Sequence, residues 1–166
     1  MAGRTLTEGE KALAREAFGE SIPYEDVRFF NGANGNPAAM AAFRNGNTAI
    51  TLRRSIYYRT DRYEADFSAA AVDRKGLLIH ELTHVWQYKK RGVPSFLARY
   101  ARDLAACGFK PAKMYEYQPG VTPFRGARIE QQAEMAGDYC VARLTGNAAG
   151  EAKLRLNLAD STLYGL

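Results

Sequence analysis

The sequence contains two histidines, and both lie in one pentapeptide, His80-Glu81-Leu82-Thr83-His84. A helix repeats every 3.6 residues, so side chains four apart sit one turn above each other on one face. Both imidazoles can therefore reach a single metal ion. Glu81, about 100° further round the helix, can reach a water in an open coordination position. Zinc lowers the pKa of such a water towards about 7, and a nearby carboxylate can take its proton as it attacks a carbonyl carbon. This is the His-Glu-x-x-His logic of hydrolytic zinc sites. The bland reading is coincidence. Against it stand three facts: no histidine is left outside the motif, Leu78-Ile79 and Val85-Trp86 flank it with apolar residues, and the segment is independently expected to be helical.

A hydrolytic zinc needs a third protein ligand. Gln87 and Lys90 stand where a His-Glu-x-x-His-x-x-Gly-x-x-His site would have its glycine and third histidine, so that arrangement is excluded. Glu130, Glu134 and Asp138 recur every four residues and form an acidic stripe on one expected helix, interleaved with the small residues Ala133 and Gly137. Small residues let such a face approach the motif helix closely. In a Glu-x-x-x-acid pair the first carboxylate ligates and the second orients a histidine through its free ring N–H. Both Glu130/Glu134 and Glu134/Asp138 meet that spacing, and a solvated acidic face is the plain alternative. Cys107 and Cys140 have no metal-binding Cys pattern around them and read as buried free thiols. An oxyanion donor is sought among Tyr115, Tyr117, Tyr139 and Arg128, with Tyr117 taken as the candidate.

The elements that must position these residues follow from the local pattern. Thr7-Glu8-Gly9-Glu10 reads as a capping box, with Leu6 as a staple, for a helix ending near Phe18 and Gly19. Tyr24 to Phe30 is expected as a short strand, 31–37 as loop, and Asn47 to Tyr58 as one strand. Ala38 to Phe43 is an apolar patch without an assignment. Helices are expected over Asp73 to Arg91, over Phe96 to Ala106 with Ser95 as cap, and over Gly126 to Leu144. The expectation is a single domain over 1–166, α+β and mostly helical with a short sheet.

The chain's 166 residues are 46% hydrophobic and 25% charged, which suits a globular domain that folds without disulfides. No apolar run is long enough for a membrane span, and the N-terminus lacks an apolar signal core, so a cytoplasmic protein is expected. The net charge of +5 comes from scattered basic residues with acids between them, which argues against a specific nucleic-acid partner.

The stretch HELTHVWQ (80–87), preceded by AITLRRSIYY (49–58), resembles the gluzincin-type metallopeptidase domains of bacteria. It is similar in particular to those called Vgr-related, and more distantly to the core domain of extracellular contractile injection systems. IEQQAE (129–134) and the opening LTEGEKALAREAFGESIPYEDVRF (6–29) carry the likeness over most of the chain. The resemblance implies a zincin-like fold with an active-site helix, an edge strand that pairs with extended substrate, and a later helix supplying a glutamate. By position it makes Glu130 the third ligand, with Glu134 as rival.

The reading is a zinc-dependent peptidase with one Zn2+ per chain held by His80, His84 and Glu130. Glu81 is its base, Glu134 or Asp138 supports the ligands, and its substrate is a peptide or protein. The alternative is a non-catalytic zinc-binding module that docks on a secretion or phage-tail-like partner. The intact Glu81 favours the enzyme, since a structural zinc needs no base.

Overall fold

The computed structural model describes residues 2–166. Its elements run α1 (Glu8–Phe18), β1 (Arg28–Asn31), α2 (Pro37–Arg44), β2 (Ala49–Leu52), β3 (Ser55–Tyr58), α3 (Val72–Arg91), α4 (Val93–Ala106), α5 (Ile129–Leu144) and α6 (Ala148–Leu158). The protein is α+β and mostly helical. Its small sheet has the order β1-β3-β2, with β1 parallel and β2 antiparallel to β3. Among the described residues, no helix is long and apolar enough to cross a membrane.

The capping box holds: Thr7 Oγ1 accepts the Glu10 N–H, and Glu10 Oε2 accepts the Thr7 N–H. Glu10 does more than cap. Fully buried, it takes both terminal nitrogens of Arg4 at 2.7 and 2.8 Å and the backbone N–H of Phe67 at 2.8 Å. It thereby ties α1 to the N-terminal arm and to the segment leading into α3. The position that a staple would pack against, four residues after the Thr7 cap, is Lys11, so Leu6 packs into the main core instead.

Other expectations change in detail. The single strand over 47–58 is a hairpin, β2 and β3, turning at Arg53-Arg54 with Arg53 at φ +62°. Two-residue turns of this kind favour Gly, Asn or Asp, and their absence here hid the reversal. The first strand begins only at Arg28, after a short helical turn over Tyr24–Asp26. The unassigned patch is α2, started by Asn36, whose side chain accepts the N–H groups of Ala38 and Ala39, and by Pro37 in the first turn. Ser95 is not a cap: α4 begins at Val93, and Gly92 at φ +75° makes the sharp turn from α3. Helix α6, absent from the sequence reading, is capped by Asn147 through the Gly150 N–H. The two cysteines are free and buried, as expected.

The main core joins Phe29, Ile56 and Tyr58 of the sheet to Leu78, Ile79 and Leu82 of α3 and to Met135 and Ala136 of α5. Helices α3 and α5 cross at two glycines. A Cβ on Gly137 would lie 2.8 Å from the Gly76 carbonyl oxygen, and one on Gly76 would lie 2.7 Å from Val141 Cγ2. Because the obstacle at Gly137 is backbone, it cannot rotate away. Gly137→Ala is expected to cost roughly 1–3 kcal/mol, the usual range for overpacking a close contact, measured as a lowered denaturation midpoint with an unchanged m-value.

Candidate metal centre

Helix α3 carries His80, Glu81 and His84, all buried, across from the first turns of α5. The N-terminal end of α5 is set from α4. Buried Asp103 takes the Ile129 N–H on Oδ2 at 2.9 Å and Arg99 on Oδ1, supplying the cap that Arg128 lacks. The next residue is Glu130. Its Oε2 lies 3.2 Å from His80 Nε2 and 3.1 Å from His84 Nε2.

The outer ring nitrogens define the tautomers. Glu134 Oε2 lies 3.0 Å from His80 Nδ1. On the other ring, Gln87 Oε1 lies 2.8 Å from His84 Nδ1. The Gln87 amide is oriented by donating to the Ile129 carbonyl and to Gln132 Oε1, and Gln132 donates in turn to the Phe124 carbonyl. Both Nδ1 atoms therefore face acceptors and carry the protons. Each Nε2 then turns a lone pair towards the same carboxylate oxygen. Three acceptors converging on one buried point call for a cation between them, a proton or a metal.

The donor set fits a metal. His80, His84 and Glu130 are the described residues whose ligand atoms cluster in this way, all within 4.8 Å of one another. Tetrahedral zinc with bonds of 2.0–2.1 Å separates its ligands by about 3.3 Å, close to the two distances from Glu130. Burial by itself would depress both histidines, but hydrogen bonding and the charge of Glu130, with Glu134 added at His80, outweigh it and raise their pKa values. Burial likewise opposes the charge on Glu130, yet the two imidazoles hold its carboxyl well below the usual range.

Glu81 is held from the sheet. Thr51 of β2 donates its hydroxyl to Glu81 Oε2 at 2.7 Å and lies 3.2 Å from the Glu81 carbonyl. Cavities of about 520 and about 190 Å³ meet at His80, Glu81 and Tyr115. The Tyr115 ring stacks near His80, 5.9 Å between centroids. Burial, with the charges of Glu130 and Glu81 nearby, keeps its phenol protonated far above neutral pH.

The structure redistributes the remaining candidates. Tyr117, the expected oxyanion donor, gives its hydroxyl to Asp138 Oδ2 at 2.5 Å, so Tyr115, two residues earlier, is the tyrosine beside the motif. Asp138 accordingly serves Tyr117 and not a histidine; burial raises its pKa, with Glu134 adding to the shift. Tyr139 packs on Tyr164, and Arg128 borders a separate depression with Lys110 and Lys113. Thr51 was invisible in the sequence, whereas Gln87 stands one turn from His84 on the motif helix, the spacing that could have found it. No spacing links residue 51 to 81, and Gln87 read only as a glycine that was missing.

Residues 5–92 match the eCIS core domain. Over 159 residues, 95% of the chain, the sequence is 34% identical to the type VI secretion system spike protein VgrG2b of Pseudomonas aeruginosa, and the match spans 14% of that protein. The solved effector domain of Pseudomonas aeruginosa VgrG2b is similar with a TM-score of 0.67 and 33% identity, over 95% of this chain and 83% of that one.

Two titrations test the centre. Glu130→Ala should abolish high-affinity zinc binding, whereas Glu134→Ala and Gln87→Ala should each weaken it by about 10–100-fold, the usual effect of removing a partner that orients a ligand. In the unaltered protein, the raised histidine pKa values mean that protons compete for the same lone pairs. Zinc affinity should therefore fall as the pH is lowered from about 8 to about 6, read by competition with a chromophoric chelator.

Proposed function

The chain belongs to the eCIS core domain family, and we propose that it is a Vgr-related, zincin-like domain whose centre is a zinc-dependent peptidase site of the gluzincin type. The supporting observation is the convergence of His80 Nε2, His84 Nε2 and Glu130 Oε2 beside a glutamate that is not needed as a ligand. One Zn2+ per chain on these three residues would supply the Lewis acidity that polarises a peptide carbonyl and makes a water easier to deprotonate.

The protein's own groups supply the rest. Thr51 fixes Oε2 of Glu81, leaving Oε1 to take the proton of the attacking water and to pass it to the departing amine. Tyr115 keeps its phenol proton and donates to the substrate oxygen as negative charge grows there. Glu134 and Gln87 hold the Nδ1 protons, so both imidazoles present Nε2 in one orientation.

The chain spans 14% of the length of the spike protein it resembles. That likeness supports association with a secretion system, and so also a second reading in which the domain binds a component of such a system without hydrolysing it. The deciding experiment compares the protein with Glu81→Gln, measuring zinc content by elemental mass spectrometry and hydrolysis on an unstructured protein substrate. The expected outcome is about one zinc per chain in both and a loss of at least about a hundredfold in rate for the variant. Hydrolysis that persists in the variant refutes the mechanism. A zinc-loaded, unaltered protein that cleaves nothing yet captures a secretion component establishes the second reading.

A further inference from the structure

The two cavities flanking the motif differ in chemistry, and both lie along β2. The smaller, about 190 Å³, is walled by Tyr88, Phe96 and Tyr100. Tyr88 and Phe96 stack with centroids 3.7 Å apart, and Phe96 and Tyr100 lie nearly parallel. At its rim Leu97 is 53% exposed, a large apolar side chain facing solvent. The larger cavity is bordered on the opposite side of His80 by Glu134 and Asp138.

Strand β2 is the open edge of the sheet. The other edge, β1, is bridged by the N-terminal arm, which exchanges backbone hydrogen bonds between Arg4 and Phe29. Thr48 accepts the Arg59 N–H at 2.8 Å. By the antiparallel alternation, Ile50 and Leu52 bond to β3, while Ala49 and Thr51 turn their peptide groups to the open edge. An extended chain can add there as a further strand. Antiparallel pairing, the more stable arrangement, puts its N-terminal half beside Leu52 and the aromatic wall. Its C-terminal half then lies beside the acidic cavity.

We infer that the substrate is an extended peptide with an aromatic or large aliphatic side chain just before the scissile bond, seated against Tyr88, Phe96 and Tyr100, and with no acidic residue just after it. The volume accommodates such a side chain, and burial there removes apolar surface from water on both partners. A carboxylate on the far side would meet Glu134 and Asp138 with like charge.

This inference rests on the peptidase reading for the word scissile, so binding and cleavage are measured separately. Labelled peptides of one extended sequence, differing only in the residue before the central bond (Phe, Leu, Ala or Asp), are titrated into the Glu81→Gln protein by fluorescence anisotropy. The Phe and Leu peptides should bind about tenfold or more tightly than the Ala and Asp peptides. Tyr100→Ala, and Leu97→Glu on the exposed rim, should bring that ratio close to one. Placing Asp after the central bond should weaken binding of the Phe peptide. Equal affinity across the series, or a ratio unchanged in both pocket variants, overturns the inference. Mass spectrometry on the unaltered enzyme should find cleavage directly after Phe. Selective binding with no cleavage leaves the pocket assignment standing and refutes the peptidase reading, whereas cleavage without selectivity does the reverse.

Discussion

Helices α3 and α5 can bring their backbones together only where neither carries a side chain, at Gly76 and Gly137. The candidate metal centre inherits its dimensions from that crossing. His80 and His84 lie one and two turns along α3 from Gly76, and Glu130 lies two turns along α5 from Gly137. Over such short spans two packed helices behave as rigid rods, so an added methyl at the crossing would move the carboxylate relative to both imidazoles. Contacts of 3.1 and 3.2 Å leave little room for that. The small residues on the acidic helix are thus part of the site, although they touch no ligand atom.

Placing His80, His84, Glu81 and Glu130 out of water would be destabilising without partners, since an unpaired buried charge costs several kcal/mol. The fold answers with a shell of partners around the imidazoles and one oxygen of each carboxylate. Glu134 serves one imidazole and Gln87 the other, and the chain of amides from Gln87 through Gln132 ends on the Phe124 carbonyl. Asp103 takes the first amide of α5, which fixes where Glu130 begins its turn. This shell fixes tautomers as well as positions, and the tautomers make the inner nitrogens lone-pair donors.

The sheet contributes in a different way. Three short strands have little core of their own, and they are pinned to the helices through the fully buried Glu10, its pairing with Arg4, and the aromatic packing of Phe29, Tyr58 and Phe67. That anchoring holds β2 against α3, so Thr51 meets Glu81 while the other edge of the strand stays open. One strand therefore orients Glu81 and borders both cavities.

Periodicity and residue type alone determined the motif helix, the face shared by His80 and His84, the acidic stripe, the capping box at Thr7 and the α+β class. Each of these depends on interactions within a few residues along the chain. The hairpin at Arg53 was concealed because its turn carries arginines in place of turn residues, and helices α2 and α6 and the start of α4 because turn and loop residues beside them outweigh weak local signals. Choosing among Glu130, Glu134 and Asp138 lay beyond spacing, which sets all three on one face. The distances distinguish them: one reaches both inner nitrogens, one reaches an outer nitrogen, and one is taken by Tyr117. Thr51 and Tyr115 join the site across separations of tens of residues, and Gln87, one turn from His84 on α3, is oriented by Ile129 and Gln132 of α5. Only the packing of α3 against β2 and α5 decided them, because local sequence carries no information about which distant backbone will lie alongside.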